Sequence, residues 1–192
     1  MPAPPLQIAV ITGSTREGRF GPVPARWIIA EVDGRDDMTA DAIDLAHAGL
    51  RPVLPRSPDP DERRYIERID RADGYVVVTP EYNHSFPASL KQAIDLPHAE
   101  WRGKPVAFVS YGGIAGGLRA VEQLRLVFAE LHAMTVRDTV SFHNFPQRFD
   151  ADGRPRDAEG TTAAATSMLD QLAWWGNALR AARAEDHARE AA

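Results

Sequence analysis

The sequence predicts a three-layer α/β fold in which helices cover both faces of a five-stranded parallel sheet of order 2-1-3-4-5. Three observations predict it. Short apolar runs alternate with segments of helical periodicity along the whole chain, the pattern of repeated βα units and hence of a parallel sheet. Several runs are apolar at nearly every position, as in strands buried on both faces. Polar or glycine-rich loops follow strands one, three and four, at the edge where an open parallel sheet binds its ligands. Five strands suit this order better than the six-strand dinucleotide arrangement.

Taken in order, residues 1–5 are proline-rich and expected to be loose. Leu6 to Thr12 (LQIAVIT) is the first strand, and it runs into the turn GSTREGRFGP. From Pro22, the residues Val23, Trp27, Ile28 and Val32 recur at helical spacing, and Asp33-Gly34 ends that helix. Thr39 to Ala46 reads as strand two. Pro52, Pro55, Pro58 and Pro60 exclude a regular element across 47–61. Asp59 or Asp61 is placed to cap a helix carrying Tyr65, Ile66 and Ile69. Tyr75 to Thr79 is strand three, followed by the loop Pro80 to His84, and Ser85 is placed to cap the next helix, towards Asp95. Pro105 to Ser110 is strand four, with Tyr111 to Gly117 as its glycine-rich exit. Leu118 to Leu131 is helical and Met134 to Val140 is strand five. Residues 144–160 read as a long loop, Thr161 to about Arg183 as a final helix, and 184–192 as a frayed tail. Crossovers are expected to be right-handed. No internal repeat or linker interrupts the pattern, so residues 1–192 are expected to form one domain.

Composition narrows the function. The 192 residues are 44% hydrophobic and 26% charged, an ordinary globular profile with length enough for a substantial core. Net charge is −5, from 22 Lys and Arg against 27 Asp and Glu; no basic patch stands out, so no nucleic-acid partner is expected. Cysteine is absent, which excludes disulfides, thiol catalysis and cysteine-held metal and fits a reducing compartment. The N-terminus lacks the pattern of a signal peptide, and no apolar run approaches the ~18–20 residues of a membrane span. A soluble, cytoplasmic chain with no membrane partner is the expectation. The six histidines are scattered, without metal-ligand spacing.

Three loops carry the chemistry. In Gly13 to Gly21, Gly13 permits a tight turn, Ser14 and Thr15 offer hydroxyls and amides, and Arg16 and Arg19 offer forks suited to phosphate oxygens. A helix starts just beyond, and its N-terminal amides favour an anion. The loop lacks the G-K-[ST] of a Walker motif and the G-x-G-x-x-G of a dinucleotide fold, so it reads as a monophosphate site. In the loop from Pro80 to Ser85, Tyr82 is suited to lie against a planar ring. Asn83 also reads as a residue tolerant of a left-handed turn. His84 lacks a visible partner for acid–base work. In Ser110 to Gly117, paired glycines allow close approach to the backbone, and Tyr111 is suited to cover a ring. A phosphate end and a flat heteroaromatic end together describe FMN. No hydroxyl–histidine–acid set points to hydrolysis.

The stretches GSTREGRFG, TPEYNHSFPASLKQAID and SYGG after PVAFV resemble the NADPH-dependent FMN reductase family of the flavodoxin-like superfamily, which includes quinone, chromate and azo-dye reductases. The likeness runs from about Leu6 to Val140. It implies that Ser14, Arg16 and Arg19, with Phe20 beside them, hold the FMN phosphate. It implies that Pro80, Glu81, Tyr82 and Asn83 line the isoalloxazine, and that Ser110, Tyr111, Gly112 and Gly113 close its other side. Gly18 and Phe20 depart from the family pattern, which has serine and asparagine shortly after the first-loop arginine. The resemblance further implies a homodimer or dimer of dimers through helices near 86–96 and 118–131. It implies hydride transfer from NADPH or NADH through flavin to a small acceptor such as a quinone. No catalytic side chain is assigned, because the flavin carries the difficult chemistry. The rival is an FMN-binding electron carrier or redox-sensing module with little nicotinamide turnover. Such carriers often have a strongly acidic face, and a net charge of −5 favours the enzyme.

Overall fold

The computed structural model describes residues 4–190. Five parallel strands pair in the order β2-β1-β3-β4-β5, as the sequence predicts. They are β1 (Leu6–Thr12), β2 (Met38–Asp44), β3 (Gly74–Pro80), β4 (Pro105–Gly112) and β5 (Met134–His143). The helices between them are α1 (Pro22–Asp33), α2 (Pro60–Arg71), α3 (Ala88–Asp95), α4 (Leu118–Glu130) and α5 (Ala158–Glu190). β3 and β4 are buried at every position, which explains their continuous apolar sequence: the strand interior meets helices on both faces.

The sheet separates two cores. On one face Ile8, Val10, Val76, Val78 and Val109 pack against Ile28 and Val32 of α1 and Met168, Leu169 and Leu172 of α5. On the other, Ile11, Tyr75, Val77 and Phe108 pack against Tyr65 and Ile69 of α2, Leu90 and Ile94 of α3 and Leu124 and Phe128 of α4. Full burial of one such aliphatic side chain contributes about 1.5–3 kcal/mol, so the register that alternates residues between the two cores is strongly specified. β5 is an edge strand with a bulge, its register shifting between Val106 and Phe108 of β4. Arg125 of α4 donates to the carbonyls of Val136 and Arg137 there, and Gln171 of α5 accepts from the amides of Arg137 and Asp138. The bulge therefore leaves few free groups for edge-to-edge pairing.

Several local expectations are corrected. Asp59, not Asp61, caps α2, in a capping box with Glu62. Ser85 does not cap α3: that helix begins at Ala88 after Pro87, with no side-chain cap, and the Ser85 hydroxyl bonds Gln123 instead. The stretch after α3 contains a short 3-10 turn, Ala99–Trp101, because Trp101 is wholly buried against Tyr75 and Phe128. The final helix is longer than expected. It starts at Ala158, inside the expected loop, and is helical to Glu190; before the expected tail, Arg180 and Arg183 are tied to Asp73. Residues 1–3 and 191–192, the outer parts of the expected loose ends, lie outside the described residues. Among the described residues no helix is long and apolar enough to cross a membrane.

Lys104 gives a pH-dependent expectation. Its ammonium is buried at the C-terminal end of α2, donating to the carbonyls of Ile69 and Asp70. Burial brings its pKa down to about 8, against the opposing pull of Asp70. Between that value and its ordinary one the unfolded chain holds the proton and the folded chain does not, so stability rises with pH. Tyr65, Tyr75 and Tyr111 are pushed up by burial, so above about pH 10 the trend reverses. Urea unfolding at pH 7.5 and 9.5 is expected to show a gain of on the order of 1–3 kcal/mol that Lys104→Met lacks. Equal pH slopes in the two proteins would refute this.

Candidate functional site

The carboxyl edge of the sheet assembles the three loops. Gly13 at the end of β1 donates its amide to Val78 of β3, and Ser89 of α3 donates to the Gly13 carbonyl. Glu81 donates its amide to the Tyr111 carbonyl of β4. The hydroxyls of Ser14 and Tyr82, 68 residues apart, lie 2.7 Å from one another. Loops one, three and four thus form one continuous surface.

The first loop divides into a floor and a lip. Ser14 is fully buried, whereas Thr15 to Gly18 are exposed. The Arg16 side chain has no hydrogen-bond or ion-pair partner among the described residues, so its guanidinium is free for an anion. Arg19 differs. Its fork holds both oxygens of Asp44 at 2.5 and 2.8 Å and the Ser14 carbonyl at 3.0 Å. The bond to Asp44 raises the Arg19 pKa despite burial. Burial alone would push Asp44 up, but its bonds to Arg19 and to the Ala46 amide hold it below the ordinary carboxylate range. Arg19 therefore braces the loop against β2 instead of presenting an open fork. Phe20 stacks on Tyr111, Phe145 and Phe149 and anchors the loop's far end.

The N-terminus of α1 also departs from expectation. Pro22 and Pro24 carry no N–H, and the Val23 amide is taken by the Phe20 carbonyl. The helix start thus offers few amides to an anion. The PVP sequence signals this directly.

The second loop is a tight hairpin. Tyr82 and Ser85 exchange both backbone bonds, with Asn83 at φ 50° and His84 at φ 72°, the positive pair of a type I′ turn. The left-handed role read for Asn83 is realised, and its side chain is exposed. Tyr82 is half-buried and Pro80 is buried within β3. Glu81 pairs with Arg119 of α4 at 3.0 Å and also accepts from the Arg119 amide. The sequence reading missed Arg119. A cation in the first turn of a helix opposes the macrodipole and so signals a partner.

The third loop overturns two expectations. Tyr111 does not cover a ring at the surface: it is buried among Phe20 and Phe145. Most of the glycines serve the protein's own packing. A Cβ on Gly112 would meet the Gly117 nitrogen at 2.9 Å, and Gly116 and Gly117 have φ of 60° and 87° against β4 and β5. The buried Ser110 hydroxyl donates to the Gly116 carbonyl. Gly113 is the exception, exposed and with nothing within 4 Å of an added Cβ. His143 and Asn144 at the end of β5 bond the carbonyls of Ile114 and Gly113 and hold this shelf in place.

A parallel sheet of this order, with an anion-suited lip after its first strand and an open backbone shelf after its fourth, defines a flavodoxin-like α/β protein. The chain belongs to the NADPH-dependent FMN reductase family, whose sequence pattern matches residues 6–147. It is 36% identical over 121 residues to an NAD(P)H-dependent FMN reductase of Schizosaccharomyces pombe, a match covering 58% of this chain and 60% of that protein. It is 34% identical to the quinone reductase of Escherichia coli, over 68% of this chain and 73% of that one. With a 2-hydroxy-1,4-benzoquinone reductase of Burkholderia it shares 30% identity over 88% of this chain and 96% of that protein. The fold matches that of a flavoenzyme NAD(P)H:(acceptor) oxidoreductase of Paracoccus denitrificans, with a TM-score of 0.69 at 23% identity over 90% of this chain and 98% of that chain.

Proposed function

We propose that the chain is an FMN-dependent oxidoreductase that takes hydride from NADPH or NADH and reduces a quinone, flavin, azo compound or similar small acceptor. The observation that carries this reading is the single surface made by the Arg16 lip, the Tyr82–Asn83 hairpin and the open shelf at Gly113. The residues fit the cofactor. Arg16 and the exposed amides of Thr15 to Gly18 suit a phosphate, Tyr82 and Asn83 a ring edge, and the Gly113 backbone the close approach of a flat ring. Bound FMN supplies the two-electron redox chemistry. The chain's residues bind and orient: Arg19 and Asp44 hold the lip, Arg119 fixes Glu81 and its loop against α4, and the hairpin sets the place of Tyr82. No side chain is required as acid, base or nucleophile.

Purified protein is expected to be yellow, to bleach with NADPH without oxygen, and to regain colour with a quinone. A colourless protein that takes up no added FMN rules the function out. Arg16→Ala is expected to weaken FMN binding about 5–10-fold, the share of one charge-assisted hydrogen bond. Thermal stability without cofactor should not change, since the side chain is exposed and unpaired among the described residues. An unchanged dissociation constant would remove Arg16 from the phosphate site.

The same reading carries further parts. Residues 1–192 form one catalytic domain, placed in the cytoplasm where reduced nicotinamide is supplied. Two copies associate through α4, where Leu118 and Leu126 are 42% and 75% exposed, and Ile114, in the loop before the helix, is 84% exposed. Leu126→Asp is expected to convert a dimer to a monomer at micromolar concentration in light scattering. A monomeric unaltered chain would contradict the assignment.

A further inference from the structure

A cavity of about 470 Å³ lies at the carboxyl edge of the sheet, beside the flavin loops. Leu45 and Ala46 at the exit of β2, with Leu50 and Pro52 beyond them, form one wall, and Ala88 and Gln92, one turn apart on α3, form the other. Of the three loops only the first reaches the cavity, through Thr15. Thr15 follows Ser14, whose hydroxyl lies 2.7 Å from that of Tyr82, so the cavity and the flavin surface share a boundary. Its walls are fixed. The Leu45 amide donates to the Thr12 carbonyl of β1. Arg51 Nε donates to the buried Glu62 at 2.9 Å and Nη2 to the Ser57 carbonyl at 3.1 Å. The irregular segment after β2 is thereby tied to the start of α2. Arg51 is also the one charged residue among the described residues that line the cavity, and Glu62 and Asp59 engage it at 2.9 and 3.2 Å. The site is therefore not built for an anion. Its apolar walls suit a flat ring. The half-buried Gln92 amide, which has no hydrogen-bond partner among the described residues, offers donors and an acceptor to the ring's edge.

We propose that this cavity receives the adenine of NADPH or NADH, as a subsite for the hydride donor; this rests on the reductase reading above. An adenine ring is flat, uncharged and edged with both donors and acceptors, which matches the lining. In the dinucleotide it is tethered through two riboses and a pyrophosphate to the nicotinamide that gives hydride to the flavin, so its resting place lies beside the flavin loops. Gln92 bonds the purine edge, and Leu50 and Ala88 flank its faces. Ser89, whose hydroxyl donates to the Gly13 carbonyl, keeps α3 in register with the first loop. A quinone or other acceptor is the rival occupant. It has to reach the flavin ring at the Gly113 shelf, and it has no tether to the first-loop side where the cavity opens.

The test follows anaerobic bleaching of the FMN-loaded chain and compares NADPH and NADH with reduced nicotinamide mononucleotide, which lacks the adenosine half. Gln92→Ala is expected to raise the half-saturating concentration of both dinucleotides about 3–10-fold, the share of one or two hydrogen bonds. The half-saturating concentration of the mononucleotide and the limiting bleaching rate should not change. Ala46→Phe, which fills the cavity from an exposed position, should raise the dinucleotide values further with the same selectivity. Retained FMN and an unchanged melting temperature show that both variants fold. No rise with the dinucleotides, or an equal rise with the mononucleotide, overturns the assignment. A rise confined to the half-saturating concentration of the quinone makes the cavity the acceptor's and overturns it as well. An unaltered chain that binds no FMN, or whose bound flavin none of the donors bleaches, overturns the reductase reading and this subsite together.

Discussion

Gly117→Ala is expected to destabilise the chain by about 3–5 kcal/mol, the range of severe overpacking combined with backbone strain. The glycine stands at φ 87°, and an added Cβ would lie 2.7 Å from the Ser110 Cβ and 2.9 Å from the Tyr111 nitrogen. The second neighbour is backbone of β4, which cannot swing aside as a flexible side chain does. The loop is fixed from other directions too, by Ser110 and Ser141 donating to the Gly116 carbonyl. An upward shift of one segment therefore displaces the shelf as a whole. For a chain of this size the melting temperature should fall by roughly 6–20 °C, with flavin affinity lost alongside. Gly113→Ala is the matched comparison. With open space around it and no positive φ, it should alter stability by less than about 0.5 kcal/mol while weakening flavin binding by crowding the shelf. Urea denaturation of both variants decides the matter. Equal midpoints would mean that the glycines are not held by internal packing.

The pair Arg19 and Asp44 gives the second large effect. If Arg19 were a free phosphate ligand, neutralising Asp44 would release its fork and strengthen FMN binding. In the structure the fork is a brace: it joins β2 to the Ser14 carbonyl and sets the shape of the lip. Asp44→Asn is therefore expected to weaken FMN binding by about 5–10-fold, and Arg19→Ala by about tenfold or more, the cost of losing charge-assisted bonds. Arg19→Ala should also destabilise the cofactor-free chain by about 2 kcal/mol, since it strands a partly buried carboxylate. Tighter FMN binding in Asp44→Asn would restore Arg19 as a direct ligand. The contrast with Arg16 is instructive. Two arginines three positions apart read alike in sequence, yet one lies exposed and the other faces a carboxylate 25 residues downstream.

How much was legible follows from how local the cause is. The positions of the strands and of the three loops follow from short apolar runs and turn residues, whose physics acts within a few positions. The left-handed role of Asn83 was legible for the same reason. The capping role given to Ser85 was not realised, because its hydroxyl met Gln123 on α4, a partner that spacing along the chain does not reveal. Arg119 and the prolines of α1 left signals that the reading passed over: a cation against a helix dipole, and two missing amides.

The sequence by itself determined an α/β sheet with ligand loops at one edge, and the family motif in the loop after β3, because both rest on local patterning. Only the tertiary structure decided which loop residues face outward. Arg16 and Gly113 remain open, whereas Arg19, Ser110 and Tyr111 turn inward. Arg19 is held by Asp44 of β2 and Tyr111 by Phe20 and Phe145, neighbours from other segments, and burial is a property of the assembled surface rather than of any segment of the chain.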